Sequence, residues 1–197
     1  MLLGKKPIGT IGYMGGVMAL PEPFVWSWTQ MIQFNNDYLV EGNESIYYIR
    51  TTNSYHSFAR NNLVKQMRGE WLLMLDTDHA FDPDIVVRML HTIDVMPNNI
   101  RVLSGIYQYK GPPYSPKIYR FNKELTGLEP IGDWEGRTNK HLPPVIPIDS
   151  AGAGILLIKR DIFTELKKAF PKEDPFDIIP PFSEDNSFFL RLKKIGI

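Results

Sequence analysis

Residues 69–90 read GEWLLMLDTDHAFDPDIVVRML. A short apolar run, 71–75, ends directly on two carboxylates, Asp76 and Asp78, separated only by Thr77. The run is uninterrupted and bounded by polar residues, so it predicts a buried strand. After the acids, Asp82 suits a helix N-cap, Pro83 the first helical position and Asp84 the positive end of the helix dipole. Two acids thereby stand at the carboxyl end of a buried strand, which is where open α/β sheets bind ligands. Carboxylates this close repel each other unless a positive group joins them. A hard divalent cation such as Mg²⁺ takes a few carboxylate oxygens and leaves the rest of its shell to phosphates. Asp also favours turns and caps for its own sake. The strand before this pair and the capped helix after it weight the reading towards a site.

The surrounding sequence keeps the same alternation. Strands are predicted at 7–14, 45–51, 71–75 and 101–107, and helices at 24–34, 57–67 and 84–96. Apolar residues recur at helical spacing in each helix: Val25, Trp28, Met31 and Ile32, then Phe58, Leu63, Val64 and Met67, then Val86, Met89, Leu90 and Ile93. Strand alternating with helix predicts an α/β fold with a mainly parallel sheet. Residues 110–147 break the rhythm. They are rich in Pro, Gly, Tyr and charge, with one strand predicted near 117–121, and read as an excursion that covers a site. Order resumes with an apolar run at 155–158, a helix at 161–170, a proline-rich loop at 171–182 and a last helix at 183–195. That helix has Glu184 and Asp185 in its first turn and Lys193 and Lys194 in its last, both favourable to the dipole. No internal repeat is visible. A chain of 197 residues is enough for one domain with a real core and short for two, so one domain over 1–197 is expected.

Charge and composition narrow the partners. The 22 basic and 22 acidic residues cancel, so neither nucleic acid nor an anionic membrane is marked as a stable partner. The absence of Cys excludes disulfides, thiolate metal sites and cysteine nucleophiles. Residues 1–20 carry two lysines and a mildly apolar stretch, but Gly9, Gly12, Gly15, Gly16 and Thr10 dilute it. A strand with a glycine-rich loop fits better than a signal peptide. No apolar stretch is long enough to span a bilayer, so the expected location is the cytoplasm or a peripheral site.

Four elements, in this order, resemble a family 2-type glycosyltransferase of the GT-A fold. Ala59-Arg60-Asn61 opens a helix. Leu73-Met74-Leu75-Asp76-Thr77-Asp78 is similar to the family's Asp-x-Asp motif at a strand end. Ala151-Gly152-Ala153-Gly154 leads into 155–158 and Lys159-Arg160. Ser183-Glu184-Asp185-Asn186, with Phe188, Phe189, Arg191, Leu192 and Gly196, is similar to the family's Glu-Asp element and its helix. The resemblance covers 6–197 and is poorest in 110–147. The compact layout is similar to the small glycosyltransferases of phage and bacterial genomes.

The resemblance implies a Rossmann-like, mixed, mainly parallel sheet flanked by helices. It implies metal-dependent, inverting transfer of a sugar from a nucleotide-diphosphate sugar, with a UDP-sugar first in line. The acceptor would be a hydroxyl-bearing glycan, lipid or protein, or a nucleic-acid base, and the cofactor Mn²⁺ or Mg²⁺. By the same resemblance Asp78 would ligate the metal, and Asp76 would touch the ribose or the metal through water. Arg60, Asn61, Gly152 and Ala153 would line the nucleotide-sugar, with the loop 15–23 as the other wall. Asp185 would be the base that deprotonates the acceptor, with Glu184 as the alternative.

Each assignment has a plainer counterpart. Glu184 and Asp185 also suit a helix N-terminus behind Ser183. Arg60 and Asn61 read equally well as solvent-facing helix residues. Gly152 and Gly154 permit a turn and are too short a pattern for a dinucleotide fingerprint, although small residues also let a sugar approach the backbone. His79 adjoins the acids but reads more readily as a polar loop residue than as a ligand. His56, His91 and His141 show no ligand spacing. Tyr107 and Trp134 suit either sugar stacking or packing. Relatives carry a further metal-binding His after the Glu-Asp helix; here the sequence ends at Ile197, so His79 or water would complete the shell, or the chain would be a truncated form. Thr51-Thr52-Asn53 stands where an acidic residue is usual, which leaves uracil recognition open. The rival activities are another Mg²⁺-dependent nucleotidyltransferase or phosphatase, or an inactive nucleotide-sugar-binding module. A phosphatase of the haloacid dehalogenase type would carry its aspartate pair near the N-terminus with Thr or Val following, whereas this pair is central and followed by Ala80 in that place.

Overall fold

The computed structural model describes residues 5–15, 19–52, 55–96, 100–131 and 145–197. Gly16, Asn53, Trp134 and His141 lie outside the described residues. In chain order the elements are β1 (Lys6–Gly15), α1 (Glu22–Tyr38), β2 (Glu44–Thr52), α2 (His56–Gln66), β3 (Trp71–Asp76), α3 (Ile85–Val95) and β4 (Val102–Ser104). They continue with β5 (Ile118–Phe121), β6 (Leu128–Pro130), β7 (Ser150–Ala151), β8 (Ile155–Lys159), α4 (Arg160–Ala169) and α5 (Glu184–Lys194).

The main sheet has the order β2-β1-β3-β8-β4. β1 pairs in parallel with β2 and β3, while β8 is antiparallel to both of its neighbours, β3 and β4. β8 therefore fills the gap that the β3–α3–β4 crossover leaves open. Its register sets Leu73 against Leu157, Met74 against Leu156 and Leu75 against Ile155. A smaller sheet, β6-β5-β7, stands beside the first. The mainly parallel α/β architecture expected from the alternation is the one observed.

Side chains alternate across a strand, so β3 feeds two cores. Leu72 and Met74 pack with Leu156 and Ile158 beneath α2, α4 and α5, through Leu63, Ile162, Leu166 and Phe188. Leu73 and Leu75 pack with Ile11 and Leu157 beneath α1 and α3, through Phe24, Met31, Val86 and Met89. The five apolar residues of β3 are all buried, which places helices on both faces and explains their unbroken hydrophobicity. Glycines in β1 make room for close neighbours. A Cβ on Gly12 would lie 2.6 Å from Leu63 Cδ2, and one on Gly9 would overlap the Trp71 indole.

The structure moves several predicted boundaries. α1 begins at Glu22, with a proline in its first turn, and runs on to Tyr38, past the predicted end at 34, because Asn35 is also buried. α3 begins at Ile85 with Asp84, not Asp82, at its N-cap. Both carboxylates instead bind Arg88, at 2.8 Å from Asp82 and 2.9 Å from Asp84, so neither side chain caps the backbone. β4 stops at Ser104, short of the predicted 107. Gly105 N–H still reaches Ile155 O at 2.9 Å, but Tyr107 leaves the sheet and its carbonyl accepts from Lys117 N–H at 3.0 Å. The strands β6 and β7, three and two residues long, have no counterpart in the sequence reading.

Candidate functional site at the carboxyl edge of the sheet

The strands β1, β2, β3 and β4 end on one edge, and β8 begins there. Asp76, the last residue of β3, donates its N–H to Gly154 O at 2.8 Å, which holds residues 151–154 against the strand end. Arg60, on the second turn of α2, enters this junction from below and is only 3% exposed. Its guanidinium donates to Ala153 O at 2.9 Å, to Asp76 Oδ1 at 3.1 Å and to Glu184 Oε1 at 3.4 Å. Burial disfavours its charge, but Asp76, Glu184 and the more distant Asp185 outweigh that effect and hold its pKa above the ordinary value. Arg60 is thus a fixed cation that ties three parts of the chain together. It is not the solvent-facing residue that a helix position alone permits.

The second acid stands just beyond. Asp78 Oδ1 lies 3.4 Å from His79 Nε2, and Asp78 Oδ2 lies 2.7 Å from Lys110 Nζ. Burial pushes its pKa up, but the Lys110 hydrogen bond and the nearby His79 more than offset this and leave it below the ordinary value. Asp76, Asp78 and His79 each offer one ligand atom, and those atoms lie within 4.8 Å of one another. Two carboxylate oxygens and an imidazole nitrogen suit a divalent cation. The donor set therefore fits. His79, which sequence spacing alone disfavours as a ligand, is brought in by tertiary packing. Its ring lies 4.4 Å from that of Tyr107, and a Cβ on Gly154 would come within 2.5 Å of Nε2.

Tyr107 is packed rather than open for stacking. Its hydroxyl accepts from Gly154 N–H at 2.9 Å. Burial, with Asp76 and Asp185 nearby, raises its pKa well above the ordinary value, so it stays neutral. It also explains Gly152, where a Cβ would overlap the Tyr107 hydroxyl. Gly152 and Ala153 therefore stand at the site, with glycine required by the protein's own tyrosine.

The remaining predicted residues divide. Glu184 opens α5 and joins Arg60. Both hydrogen bonds to Asp185 fall on Oδ1, from Ser183 Oγ and from Asn186 N–H at 2.8 Å. The Ser183 hydroxyl thus serves side chains and not the helix backbone. Asn61 is held elsewhere. Its amide donates to Asp177 Oδ1 at 3.0 Å and accepts from Phe176 N–H at 2.9 Å, fastening the loop 171–182 to α2. Lys110 and the neighbouring group of Lys117, Tyr109 and Tyr119 were not legible. Lys117 Nζ sits 5.5 Å from the Tyr107 ring and 5.0 Å from the Tyr109 ring, and the Tyr109 and Tyr119 hydroxyls share a hydrogen bond. The local sequence there is rich in Pro, Gly and Tyr, which signal a loop and not its direction.

An open, mainly parallel sheet whose carboxyl edge carries an Asp-x-Asp cluster defines an α/β fold of the GT-A type, in the nucleotide-sugar transferase superfamily. The chain belongs to glycosyl transferase family 2: the family's sequence model, described as Glycosyl transferase family 2, matches residues 33–165. That span includes Arg60, Asp76, Asp78, Gly152 and Ala153, whereas Glu184 and Asp185 lie beyond it. No curated protein matches the sequence. The fold is similar to that of 4-diphosphocytidyl-2C-methyl-D-erythritol synthase from Anaerococcus prevotii DSM 20548. The TM-score is 0.50 at 8% identity, over 97% of this chain and 85% of that one. It is also similar to CMP:2-keto-3-deoxy-manno-octonic acid synthetase complexed with CTP. There the TM-score is 0.50 at 13% identity, over 98% of this chain and 87% of that one. At such identities the likeness is one of fold. No helix among the described residues is long and apolar enough to cross a membrane.

Proposed function

We propose that this chain, acting as one domain over residues 1–197, transfers a sugar from a nucleotide-diphosphate sugar, with UDP as the first candidate nucleotide, to an acceptor hydroxyl. The observation that carries the reading is the junction of Asp76, Asp78 and His79 with Arg60 at the carboxyl edge of the sheet, inside the span that matches the family. Asp76, Asp78 and His79 would hold Mn²⁺ or Mg²⁺, which when bound stabilises the charge that develops on the leaving diphosphate. Arg60 fixes the orientation of Asp76 and so positions it for the donor. Asp185 takes the proton of the acceptor hydroxyl at Oδ2, since its existing bonds fall on Oδ1. Glu184 is the weaker candidate because Arg60 already engages its carboxylate. The acceptor oxygen then bonds to the anomeric carbon, the bond from that carbon to the diphosphate oxygen breaks, and the nucleoside diphosphate departs. Attack from the face opposite the leaving group inverts the configuration.

Calorimetric titration of UDP with Mn²⁺, and again with chelator, tests this. Binding is expected with the metal only, and Asp78→Ala should weaken it by about 10-fold or more, as loss of a charged ligand does. Asp185→Asn should still bind UDP but lose the slow hydrolysis of UDP-sugars to UDP. UDP, GDP and CDP binding that is indifferent to chelator and to Asp78→Ala would overturn the reading.

A further inference from the structure

Among the described residues, Arg60 and Lys110 both pair with aspartates of the site, and they differ in freedom. Arg60 is buried and its donors are taken by Asp76, Glu184 and the Ala153 carbonyl. Lys110 has a side chain 79% exposed and, among the described residues, pairs with Asp78 at 2.7 Å. It projects from a two-stranded arm, residues 107–117. The base of the arm is tied by Lys117 N–H to Tyr107 O at 3.0 Å and by Tyr109 N–H to Ser115 O at 3.0 Å, with a bridge between Gln108 and Pro116. Its tip is closed by Tyr114 N–H to Gly111 O at 2.9 Å. Tyr107 anchors the arm to Gly154 and His79, so Lys110 stands over the strand end on a supported stem.

An ammonium on Asp78 Oδ2 and a divalent cation on the same carboxylate repel each other, so the Lys110 pair weakens the hold of Asp78 on a metal. An exposed ion pair is weak enough to be given up. The acids of the site, Asp76, Asp78, Glu184 and Asp185, outnumber Arg60 and Lys110, so a doubly charged cation balances them and a bound diphosphate restores an excess of negative charge. Lys110, being exposed, can answer that excess without breaking a buried network. Resting on the nucleotide-sugar reading above, we infer that Lys110 is a diphosphate-binding residue: it occupies the metal's place on Asp78 when the site is empty and passes to the phosphate oxygens when metal and nucleotide arrive.

Lys110→Gln and Lys110→Arg test the exchange, with two readouts that need no turnover. Binding of Mn²⁺ alone, followed by the electron paramagnetic resonance signal of the free ion, should tighten by about 2- to 5-fold in Lys110→Gln, the range an exposed pair commands. At saturating Mn²⁺ the same variant should bind UDP about 10-fold more weakly while binding uridine as the wild type does, since a lost charged hydrogen bond acts on the phosphates alone. Lys110→Arg should restore most of the UDP affinity. If wild type binds UDP and Lys110→Gln binds it equally well, the role of Lys110 is overturned and the enzymatic reading stands. If wild type takes up Mn²⁺ but binds no nucleoside diphosphate, the enzymatic reading falls and this inference with it.

Discussion

Removing Arg60 tests whether the site is held together by one buried cation. In Arg60→Met the aliphatic stem is conserved in bulk, while the donors to Asp76, Glu184 and the Ala153 carbonyl vanish. Two carboxylates are then left facing the junction with side chains only 26% and 13% exposed. Breaking a buried pair by deleting one partner costs about 3–5 kcal/mol, because the surviving charge is desolvated without compensation. Asp76 keeps some access to water, so the lower half of that range applies, about 3–4 kcal/mol. With a urea slope of about 2 kcal/mol per molar, the unfolding midpoint should fall by about 1.5–2 M. The assay is urea unfolding in chelator, followed by tryptophan fluorescence and far-ultraviolet circular dichroism. Chelator matters because a bound cation would substitute for the missing charge. The double variant Arg60→Met/Glu184→Gln should lose less than the sum of the single losses, by about 1–2 kcal/mol, since one orphaned charge is gone. A midpoint shift below about 0.5 M, or strict additivity, would refute the view that Arg60 organises the site.

Two further outcomes follow from the same geometry. Gly152→Ala should lower stability by about 1–3 kcal/mol through overlap with the Tyr107 hydroxyl, seen as a melting temperature about 3–10 °C lower, and Tyr107→Phe in the same chain should recover part of it. Asp149 gives a pH test: burial pushes its carboxyl up, but the hydrogen bond from Lys193 at 2.8 Å, the Phe121 N–H and Arg120 outweigh this and depress its pKa. A depressed folded-state pKa contributes stability above the unfolded value of about 3.8 and loses it as pH falls through the folded value. Lys193→Ala should therefore lower the urea midpoint at neutral pH, by up to about 1 kcal/mol in stability, with the difference shrinking as pH falls through the folded value. A difference that persists in acid would assign the loss to packing.

What could be read from the sequence was local, and what could not was distant. The strand at 71–75 and its acids announced themselves because a buried strand, its end and the following helix turn occupy one window. Glu184 and Asp185 were legible for the same reason, as acids in a first turn. The burial of Arg60 was not, because its partners lie 16, 93 and 124 residues away. Asn61 reads like its neighbour in sequence, yet one turns to the site and the other to the loop at 176–177, a choice made by the Phe176 N–H and the Asp177 carboxylate, 115 and 116 residues on. The two glycines before β8 suggest a turn, but only the fold reveals that Tyr107 and His79 demand them.

The placement of β8 has a consequence for the chain as it is made. β3 acquires its second neighbour only when residues 155–159 have been synthesised, about eighty residues after β3 itself. Until then the ribosome-bound chain presents Trp71-Leu72-Leu73-Met74-Leu75 with one unpaired edge, an apolar stretch of the kind that recruits other strands. The acids at its end lack the Gly154 carbonyl and the Ala153 carbonyl that later fix Asp76 and Arg60. The nascent protein thus passes through an interval in which its most adhesive strand is open and its site is unbuilt. Insertion of β8 closes the open edge and fixes Asp76 and Arg60, and α5 then adds Glu184 and Asp185.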